Sequence, residues 1–517
     1  MFVKSRLDPT GQKLSNRLSG DTERGEQLLL FYNWKFENFT VTSGEKTMKW
    51  SKLISSAIVG GALSLTAGNI QAETLREAVD AMLQTHPEVR SNAYNTLGRQ
   101  EEVEQAKAGY YPTLNFSAGY GLQEVQEPVD ETLYPEQYSL SLRQNVFNGL
   151  ATMNEVDRQK ARVKSSAYRL QGTSENTALR TAQVYLNVLR QEELVRLSEE
   201  NRDSHLRIAD QIKMRSDSGV ASKSDSDQVA GRVSLAEANV VVTKTNLVDA
   251  HSNYLAVVGH LPNDLQRPVP PDSLIPASVD EATEAALRQH PTLKSAAADL
   301  EARQEQDEVA KSPYYPVIDL ELDQHWNDDF DETINDQAKD YYFIAMVRLR
   351  YNLFNGFKNQ ARKAETALLV SEAREIRNNT HRQVVESMRL SWMAYQAVQD
   401  RIKYLEQRVA STADTAGSYT KQFNLGKRTL LDVLDTEAEV IDAKRALVEA
   451  KYDGLYAQYR ILNGLGQLVQ AFDLQWPEES QVEEDDTREA SKRNESKVEI
   501  APKIRTFDTM KSYISAG

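Results

Sequence analysis

Two hydrophobic patterns alternate along this chain, and the longer one is helical. Apolar residues recur three and four positions apart, which places them in one narrow seam of a helix. The seam positions are Val229, Val233, Ala236, Val240, Thr243, Leu247, Ala250, Tyr254 and Val257 in one stretch, and Leu434, Ala438, Ile441, Arg445, Val448, Tyr452, Leu455, Tyr459 and Leu462 in another. The stretches 150–217 and 357–424 contain no proline. At 1.5 Å per residue, each predicts a helix roughly 100 Å long.

The second pattern has a period of two and predicts four strands of about 10 to 14 residues. In the first strand, Leu114 to Leu122 alternate with polar or small residues, and the segment 138–147 is expected to pair with it. In the third strand, Ile318, Leu320 and Leu322 oppose Asp319, Glu321 and Asp323. In the fourth strand, apolar and polar residues alternate in the same way up to Arg350. Each strand therefore has one apolar and one polar face.

The chain is an internal duplication. LREAVDAMLQTHPEV (75–89) recurs as ATEAALRQHPTL (282–293), AKAGYYPTLNF (106–116) as AKSPYYPVIDL (310–320), and RQNVFNGL (143–150) as RYNLFNGF (350–357). Each copy reads as helix, two strands, long helix, turn and long helix. The first helix is expected to run from about Leu75 to Ala108, because Pro112 cannot continue it. The repeated histidines His86 and His290 are expected to serve local structure.

Four strands of this length suit a bilayer but cannot close on themselves. Apolar-out and polar-in alternation is typical of outer-membrane barrels, which start at about eight strands. Open sheet edges are not tolerated in lipid. The chain is therefore expected to share a barrel with copies of itself: two copies give eight strands and three give twelve. Edges of soluble sheets beside a coiled-coil bundle are the alternative.

Composition and charge narrow the function classes. Hydrophobic residues make up 40% of 517 residues, and the mean hydropathy is −0.57. A wall one helix thick, wet on both sides, explains so thin a core. The net charge of −15 is unsuited to wrapping nucleic acid. The absence of cysteine excludes disulfides and cysteine nucleophiles. No nucleotide-binding or catalytic motif is present, so neither an enzyme activity nor a cofactor is predicted.

Both ends of the chain carry segments outside the duplicated part. A basic start at Met48 and an apolar stretch ending near Ala72 indicate a secretory signal peptide. The expected segments are a non-native or unstructured N-terminal extension (1–47), the signal peptide (48–72), the first repeat (73–270), the second repeat (271–470) and a charged, disordered tail (471–517). An acidic run at Asp328, Asp329, Asp331 and Glu332 predicts a solvated loop, with calcium binding as the alternative.

The sequence resembles the TolC family of outer-membrane efflux and secretion channels. The resemblance covers about residues 73–470, and it rests on the duplication, on VYLNVLRQEE (184–193) and above all on FNLGKRTLLDVLDTEAEV (423–440). It implies a mainly α fold with a β-barrel portion. In a homotrimer, four transmembrane strands per chain would form a twelve-stranded barrel in the outer membrane. The duplicated long coiled-coil helices would form an α-barrel across the periplasm.

The turns at Gly219 and Gly426 lie farthest from the strands, so they are expected to form the periplasmic mouth. The resemblance implies that these helix tips contact an adaptor. Asp432 and Asp435 share a helical face and would form two acidic rings in a trimer, which attract cations. The resemblance implies the same entrance role for both. It also implies a gate latch that joins Arg428 to Asp225. Phe423 stands where the family often has a tyrosine, so one latch hydrogen bond is absent.

The expected function is a passive exit channel of a tripartite exporter. The resemblance implies a periplasmic adaptor and an inner-membrane ABC or other transporter as partners, besides outer-membrane lipid. Type I protein secretion, with a large adhesin as one cargo, is the favoured process. Multidrug or metal efflux is the alternative within the family. A soluble periplasmic coiled-coil adaptor is the alternative from another class.

Overall fold

A computed structural model of the chain describes residues 72–125, 131–219, 222–269, 271–328 and 340–482. All of these belong to one compact unit. The expected extension (1–47) and nearly all of the signal peptide lie outside the described residues. So do the acidic loop beyond Asp328 and the end of the tail. Glu73, the first residue after the expected signal peptide, is buried, and its carboxylate accepts a hydrogen bond from the Tyr254 hydroxyl at 2.6 Å.

The two halves of the chain have the same order of long elements. The first half contains α1 (Leu75–Thr85), α2 (Pro87–Lys107), β1 (Thr113–Tyr120), β2 (Gln123–Val125), β3 (Glu131–Leu133), β4 (Glu136–Phe147), α3 (Ala151–Asp217) and α4 (Lys223–Val258). The second contains α5 (Val279–Gln289), α6 (Pro291–Lys311), β5 (Val317–Asp328), β6 (Asp340–Arg350), α7 (Lys358–Asn424), α8 (Leu430–Leu465) and α9 (Leu468–Ala471). Short 3₁₀ turns, such as Ala108–Tyr110 and Ser312–Tyr314, connect helices to strands.

The expected single helix from Leu75 to Ala108 is wrong, because a proline divides it. Pro87 occupies the first turn of α2, where its missing N–H costs nothing and its fixed φ suits a helix start. The imidazole Nδ1 of His86 accepts a hydrogen bond from the Glu88 N–H at 3.3 Å. His290 caps α6 in the same way through the Thr292 N–H. The two repeated histidines therefore serve local structure, as expected.

The two proline-free stretches form α3 and α7, each an unbroken helix of 67 residues. In the half of the helix layer next to the turns, the helices pack in the order α4, α3, α8, α7. In the half next to the strands, the order is α2, α3, α6, α7. The helices therefore form a single layer. The predicted seams are confirmed: most of their apolar positions are buried, including Val229, Tyr254, Leu434 and Leu462. Among the described residues, no helix combines the length and the apolar character needed to cross a membrane.

The strands form one four-stranded antiparallel sheet with the order β1, β4, β5, β6, and β2 pairs with β3 separately. The expected first strand is interrupted after Tyr120. There the Gly121 N–H donates to the carbonyl oxygen of Pro135 at 3.1 Å. Pro135 has no N–H to return, so the ladder breaks at this point. The prediction of four strands is confirmed, but the first strand has 8 residues and is shorter than the expected 10 to 14.

The segment after α8 is packed on the helices, which corrects the expected start of the tail at residue 471. Its anchor is the buried carboxylate of Glu175 in α3, which is 2% exposed. This carboxylate accepts hydrogen bonds from the Leu468 and Val469 N–H groups at 2.7 and 3.2 Å and from the Trp476 indole at 2.8 Å. Ser480 is also buried. We call residues 466–482 the C-terminal strap.

Candidate functional site

The four-stranded sheet has two chemically different faces. The register aligns Phe116 with Leu140 and Leu142 with Leu322 on one face, and the apolar side chains of this face are largely exposed in β1 and β6. The opposite face carries serine, asparagine and charged residues, and there the hydroxyls of Ser117 and Ser139 lie 2.7 Å apart. Such a sheet suits lipid on one side and water on the other.

Exposed tyrosine and tryptophan side chains mark both ends of the apolar face. They are Tyr110, Tyr111, Tyr314, Tyr315 and Tyr351 near the helices, and Tyr120, Tyr138, Trp326 and Tyr341 at the other end. Aromatic residues of this kind favour the two interfaces of a membrane. With 12 residues, β5 rises roughly 30 Å when tilted by about 40°. The sheet therefore has the height of a bilayer core.

Both edges of this sheet are open within the described residues. β1 pairs only with β4, and β6 pairs only with β5. Every residue of β1 and β6 is exposed. Unpaired backbone groups along two long edges require a partner in lipid, so a single chain leaves this sheet incomplete.

At the other end of the long helices lie the two tight turns. Gly219 and Gly426 have φ values of +72° and +73°, a region that residues with a Cβ rarely adopt. After each turn a capping box starts the next helix. The Ser222 hydroxyl and Asp225 carboxylate cap α4, and the Thr429 hydroxyl and Asp432 carboxylate cap α8. Both aspartates therefore have a local role in helix initiation.

Beside these turns, a small apolar cluster joins the helix pair α3–α4 to the helix pair α7–α8. Buried Ile212 of α3 and Val229 of α4 meet buried Leu430 and Leu434 of α8, and Phe423 of α7 packs against them. The Arg215 guanidinium lies 4.6 Å from the Phe423 ring centroid and donates to the Asn424 side-chain oxygen at 3.1 Å. The phenyl ring therefore contributes apolar and cation–π contacts where a hydroxyl is absent.

The structure does not bring Arg428 and Asp225 together within one chain. The Arg428 guanidinium lies 4.0 Å from the Tyr419 ring centroid, donates to Gln422 at 3.1 Å and lies 3.8 Å from the Asp432 carboxylate. The hydrogen bonds from Thr429, and then the charge of Arg428, hold the pKa of Asp432 below its ordinary value. Asp432 therefore stays ionised near neutral pH.

An ion pair that the sequence did not predict links the helix pair α3–α4 to the helix pair α7–α8. Arg232 Nη2 of α4 lies 2.7 Å from Asp435 Oδ1 of α8. Nearby in α3, His205 is buried and its Nδ1 has no hydrogen-bond partner. Burial and the charge of Arg232 lower the pKa of His205. The position of Asp435 soon after the Gly426 turn was predicted from the sequence, but its partner was not, because the pairing depends on how two distant helices are rotated.

Charged residues form a second group at the base of the sheet, which is its end next to the helices. The sequence did not predict this group. On the polar face, Glu321 accepts hydrogen bonds from Arg143 at 2.9 Å, Arg348 at 2.6 Å and Arg350 at 3.0 Å. Asp319 pairs with Arg350 and accepts from Asn145 at 2.8 Å. We call these five charged side chains the sheet-base cluster.

Comparisons with known proteins agree on one class. The model of a family described as outer membrane efflux protein matches residues 78–260 and 282–467. The chain is 22% identical over 418 residues to the outer membrane efflux protein BepC of Brucella suis, covering 81% of this chain and 91% of BepC. It is 22% identical over 442 residues to the outer membrane protein TolC of Escherichia coli, covering 81% and 87%. It is 23% identical over 419 residues to the proteases secretion protein PrtF of Dickeya chrysanthemi, covering 76% and 88%.

Solved structures of outer-membrane channels share the fold. VceC of Vibrio cholerae superposes with a TM-score of 0.66 at 18% identity, covering 76% of this chain and 96% of that one. The CmeC channel of Campylobacter jejuni gives a TM-score of 0.67 at 14% identity, covering 84% and 94%. The long helices and the small sheet therefore correspond to an α-barrel portion and a β-barrel portion.

Proposed function

This chain belongs to the outer membrane efflux protein family, and on that premise we propose that three copies form one continuous exit channel. It is an outer-membrane channel protein of the TolC class, and its relatives are channels rather than enzymes. In the proposed assembly, twelve strands cross the membrane and the long helices continue the duct toward the periplasm. The observation that carries the proposal is the four-stranded sheet, which is apolar on one face, polar on the other and unpaired at both edges.

The internal duplication supports closure by identical copies. Where the two repeats meet, β4 pairs with β5, and α3 packs on α6 and α8. The corresponding surfaces at the free ends of the chain are β6 with β1, and α7 with α2 and α4. Repeating the contacts between repeats from copy to copy continues the sheet and the helix layer, and in the proposed assembly the rotation closes after three copies to give a ring.

A pair of equivalent glycines supports the same arrangement in detail. A Cβ built at Gly149 would lie 2.6 Å from the Ser312 carbonyl oxygen and 2.9 Å from Tyr315 Cβ, whereas Gly356 has nothing within 4 Å. By the repeat, Gly356 corresponds to Gly149, and Ala108 and Tyr111 correspond to Ser312 and Tyr315. We therefore expect Gly356 of one copy to pack against Ala108–Tyr111 of the next.

At the mouth, we propose that Asp432 and Asp435 form acidic rings at the periplasmic entrance. Arg428, Asp225 and Phe423 are proposed to hold the closed state, with the Arg428–Asp225 contact made between copies. Helix surfaces near the tips Gly219 and Gly426 are proposed to meet a periplasmic adaptor, which would connect the channel to an inner-membrane transporter. No reaction centre or cofactor enters this proposal.

For the cargo, we propose protein export by type I secretion, supported by the similarity to the proteases secretion protein PrtF. The similarity to the efflux protein BepC favours small-molecule efflux as the second candidate. Deletion of the gene separates the two. Loss of a secreted or surface protein, with unchanged drug tolerance, supports secretion. Drug or metal hypersensitivity with an unchanged set of exported proteins supports efflux.

The channel itself is tested with the purified chain in planar bilayers. We expect chemical cross-linking to capture three copies and the assembled protein to conduct ions. A monomer that leaves vesicles sealed would overturn the proposal. That outcome, together with extraction without detergent, would instead support the soluble adaptor alternative.

A further inference from the structure

The sheet-base cluster presents arginine rather than carboxylate to the polar face. Asp319 and Glu321 are each 4% exposed, because the arginines cover them. The side chains of Arg143, Arg348 and Arg350 remain 55%, 45% and 45% exposed. A guanidinium has five N–H donors, and the bonds within the cluster use only one of Arg143, one of Arg348 and two of Arg350. Most of the donors are therefore not used within the cluster, and the guanidinium groups are partly exposed in the single chain.

The duplication shows that the carboxylates of the cluster occur in the second repeat alone, whereas an arginine occurs in both repeats. The first repeat has Asn115 and Ser117 where the second has Asp319 and Glu321, whereas both repeats keep the arginine, at 143 and 350. If β6 pairs with β1 of the next copy as β4 pairs with β5, Arg350 faces neutral residues there. Three copies would then place nine arginines in a belt around the base of the barrel, above an acidic mouth.

We propose that this arginine belt is an anion-binding surface inside the channel that takes carboxylate or phosphate groups of molecules in transit. Guanidinium groups bind both anions through paired N–H bonds. The buried carboxylates hold the guanidinium groups in fixed positions, so little side-chain freedom remains to be lost when an anion binds. Asp323 lies one step further along the same face of β5 and limits the belt to the base of the sheet. This inference rests on the proposed channel function.

An alternative role for the cluster is to fix the register of β4, β5 and β6, because Glu321 receives an arginine from each of β4 and β6. That role requires the bonds to Glu321 and no ligand. The two roles separate experimentally, since only an anion-binding belt changes how the open channel responds to added polyanions.

The test uses the assembled protein in planar bilayers with poly-L-glutamate or sodium tripolyphosphate added on the barrel side. We expect both probes to reduce the current reversibly, and the probe effective at the lower concentration identifies carboxylate or phosphate as the preferred group. In the variant Arg143→Gln with Arg348→Gln, the half-blocking concentration should rise about tenfold, because one or more charge-assisted bonds to the anion are lost. Arg143→Lys, which keeps the charge, should retain most of the block.

Arg288→Gln on α5 is the matched control, because it removes one exposed arginine far from the sheet and should leave the block unchanged. Normal conductance with no polyanion block, or a block that the arginine substitutions do not weaken, overturns the anion-binding belt. A protein that conducts no ions at all overturns the proposed channel function instead. A variant with wild-type conductance and weakened block supports the inference, since its sheet has assembled.

Discussion

The two carboxylates proposed for the mouth differ in how closely a cation compensates them. Asp435 is 2.7 Å from Arg232, on the other helix pair. Asp432 is held mainly by its own helix cap, and its nearest cation, Arg428, is 3.8 Å away. Because Coulomb attraction falls with distance, Asp432 keeps more of its charge available to ions entering the mouth. Asp435, in contrast, is bound in a contact that joins α4 to α8.

We therefore expect Asp432→Asn to lower cation preference more than Asp435→Asn. Arg232→Gln should raise it by exposing the Asp435 carboxylate. The reversal potential of the open channel across a KCl gradient measures each effect. Thr429→Ala is the control, because it weakens the cap of α8 by about 1 kcal/mol and leaves the charge in place. Equal losses for the two aspartates would contradict this assignment.

A buried acid controls the C-terminal strap. Burial, partly offset by the hydrogen bonds from Trp476, Leu468 and Val469, raises the pKa of Glu175 to about 7 from an ordinary value of 4.5. An acid whose pKa is raised on folding binds its proton more tightly in the folded state. Its stabilising contribution is therefore complete below about pH 4.5 and is lost as the pH rises through about 7.

We expect amide exchange at Leu468 and Val469, corrected for the intrinsic rate, to become faster between pH 5 and pH 8. Glu175→Gln should flatten this pH dependence, because the amide does not ionise. Glu175→Ala should destabilise the strap by about 3 kcal/mol, since it leaves buried N–H donors unsatisfied. Hydrogen–deuterium exchange with mass detection checks all three. The same pH profile in wild type and Glu175→Gln would exclude this carboxylate as the cause.

At the scale of elements, the duplicated unit builds one contact inside the chain and leaves its equivalent open. A Cβ at Gly149 would clash with Ser312 and Tyr315, whereas a Cβ at Gly356 would have no atom within 4 Å in the single chain. The long helices behave similarly. α8 is buried on two sides, against α3 and α7, whereas α4 packs mainly on α3. The ends of the chain therefore carry the same contact surfaces as its middle, but without partners.

Gly356→Ala tests this equivalence. Gly356 and Gly426 both have φ near +70° and open surroundings within one chain, so alanine adds similar backbone strain of about 1 kcal/mol at each. Only Gly356 is expected to gain a clash from the next copy. The yield of trimers on native gels should therefore fall for Gly356→Ala and stay near wild type for Gly426→Ala. Equal yields would show that the Gly356 loop does not meet a neighbour.

The elements also show which structural features the sequence could predict. Heptad spacing and the lack of proline are local, so both 67-residue helices followed from them. The break at Pro87 could also have been predicted from the sequence, because His-Pro is an N-cap followed by a proline at the first helical position. The interruption after Tyr120 could not be predicted, since it depends on Pro135, which lies just before the facing strand β4. Where a strand ends can depend on the residues that face it across a sheet, and no single stretch of sequence contains that pairing.

At the scale of the whole molecule, the duplication and the two-faced strands were sufficient to predict a fold with an α-helical portion and a β-barrel portion, while the sharing of the barrel between copies stays a prediction. The turns at Gly219 and Gly426 and the position of the aspartates were predicted as well. The partners of Asp435 and Glu175 were not, because Arg232 lies 203 positions from Asp435 and the Leu468 N–H lies 293 positions from Glu175. Long-range partners of this kind follow from how the helix layer is assembled, which the seam pattern alone leaves undetermined.

The open edges of β1 and β6 have a genetic consequence. If a ring needs three intact interfaces between copies, one defective copy disrupts two of them, even when the other two copies are normal. In a cell that makes normal and edge-defective chains in equal amounts, only about one in eight rings would contain normal chains alone. Alleles that damage these strands without blocking assembly would therefore be dominant, whereas alleles that prevent synthesis would be recessive.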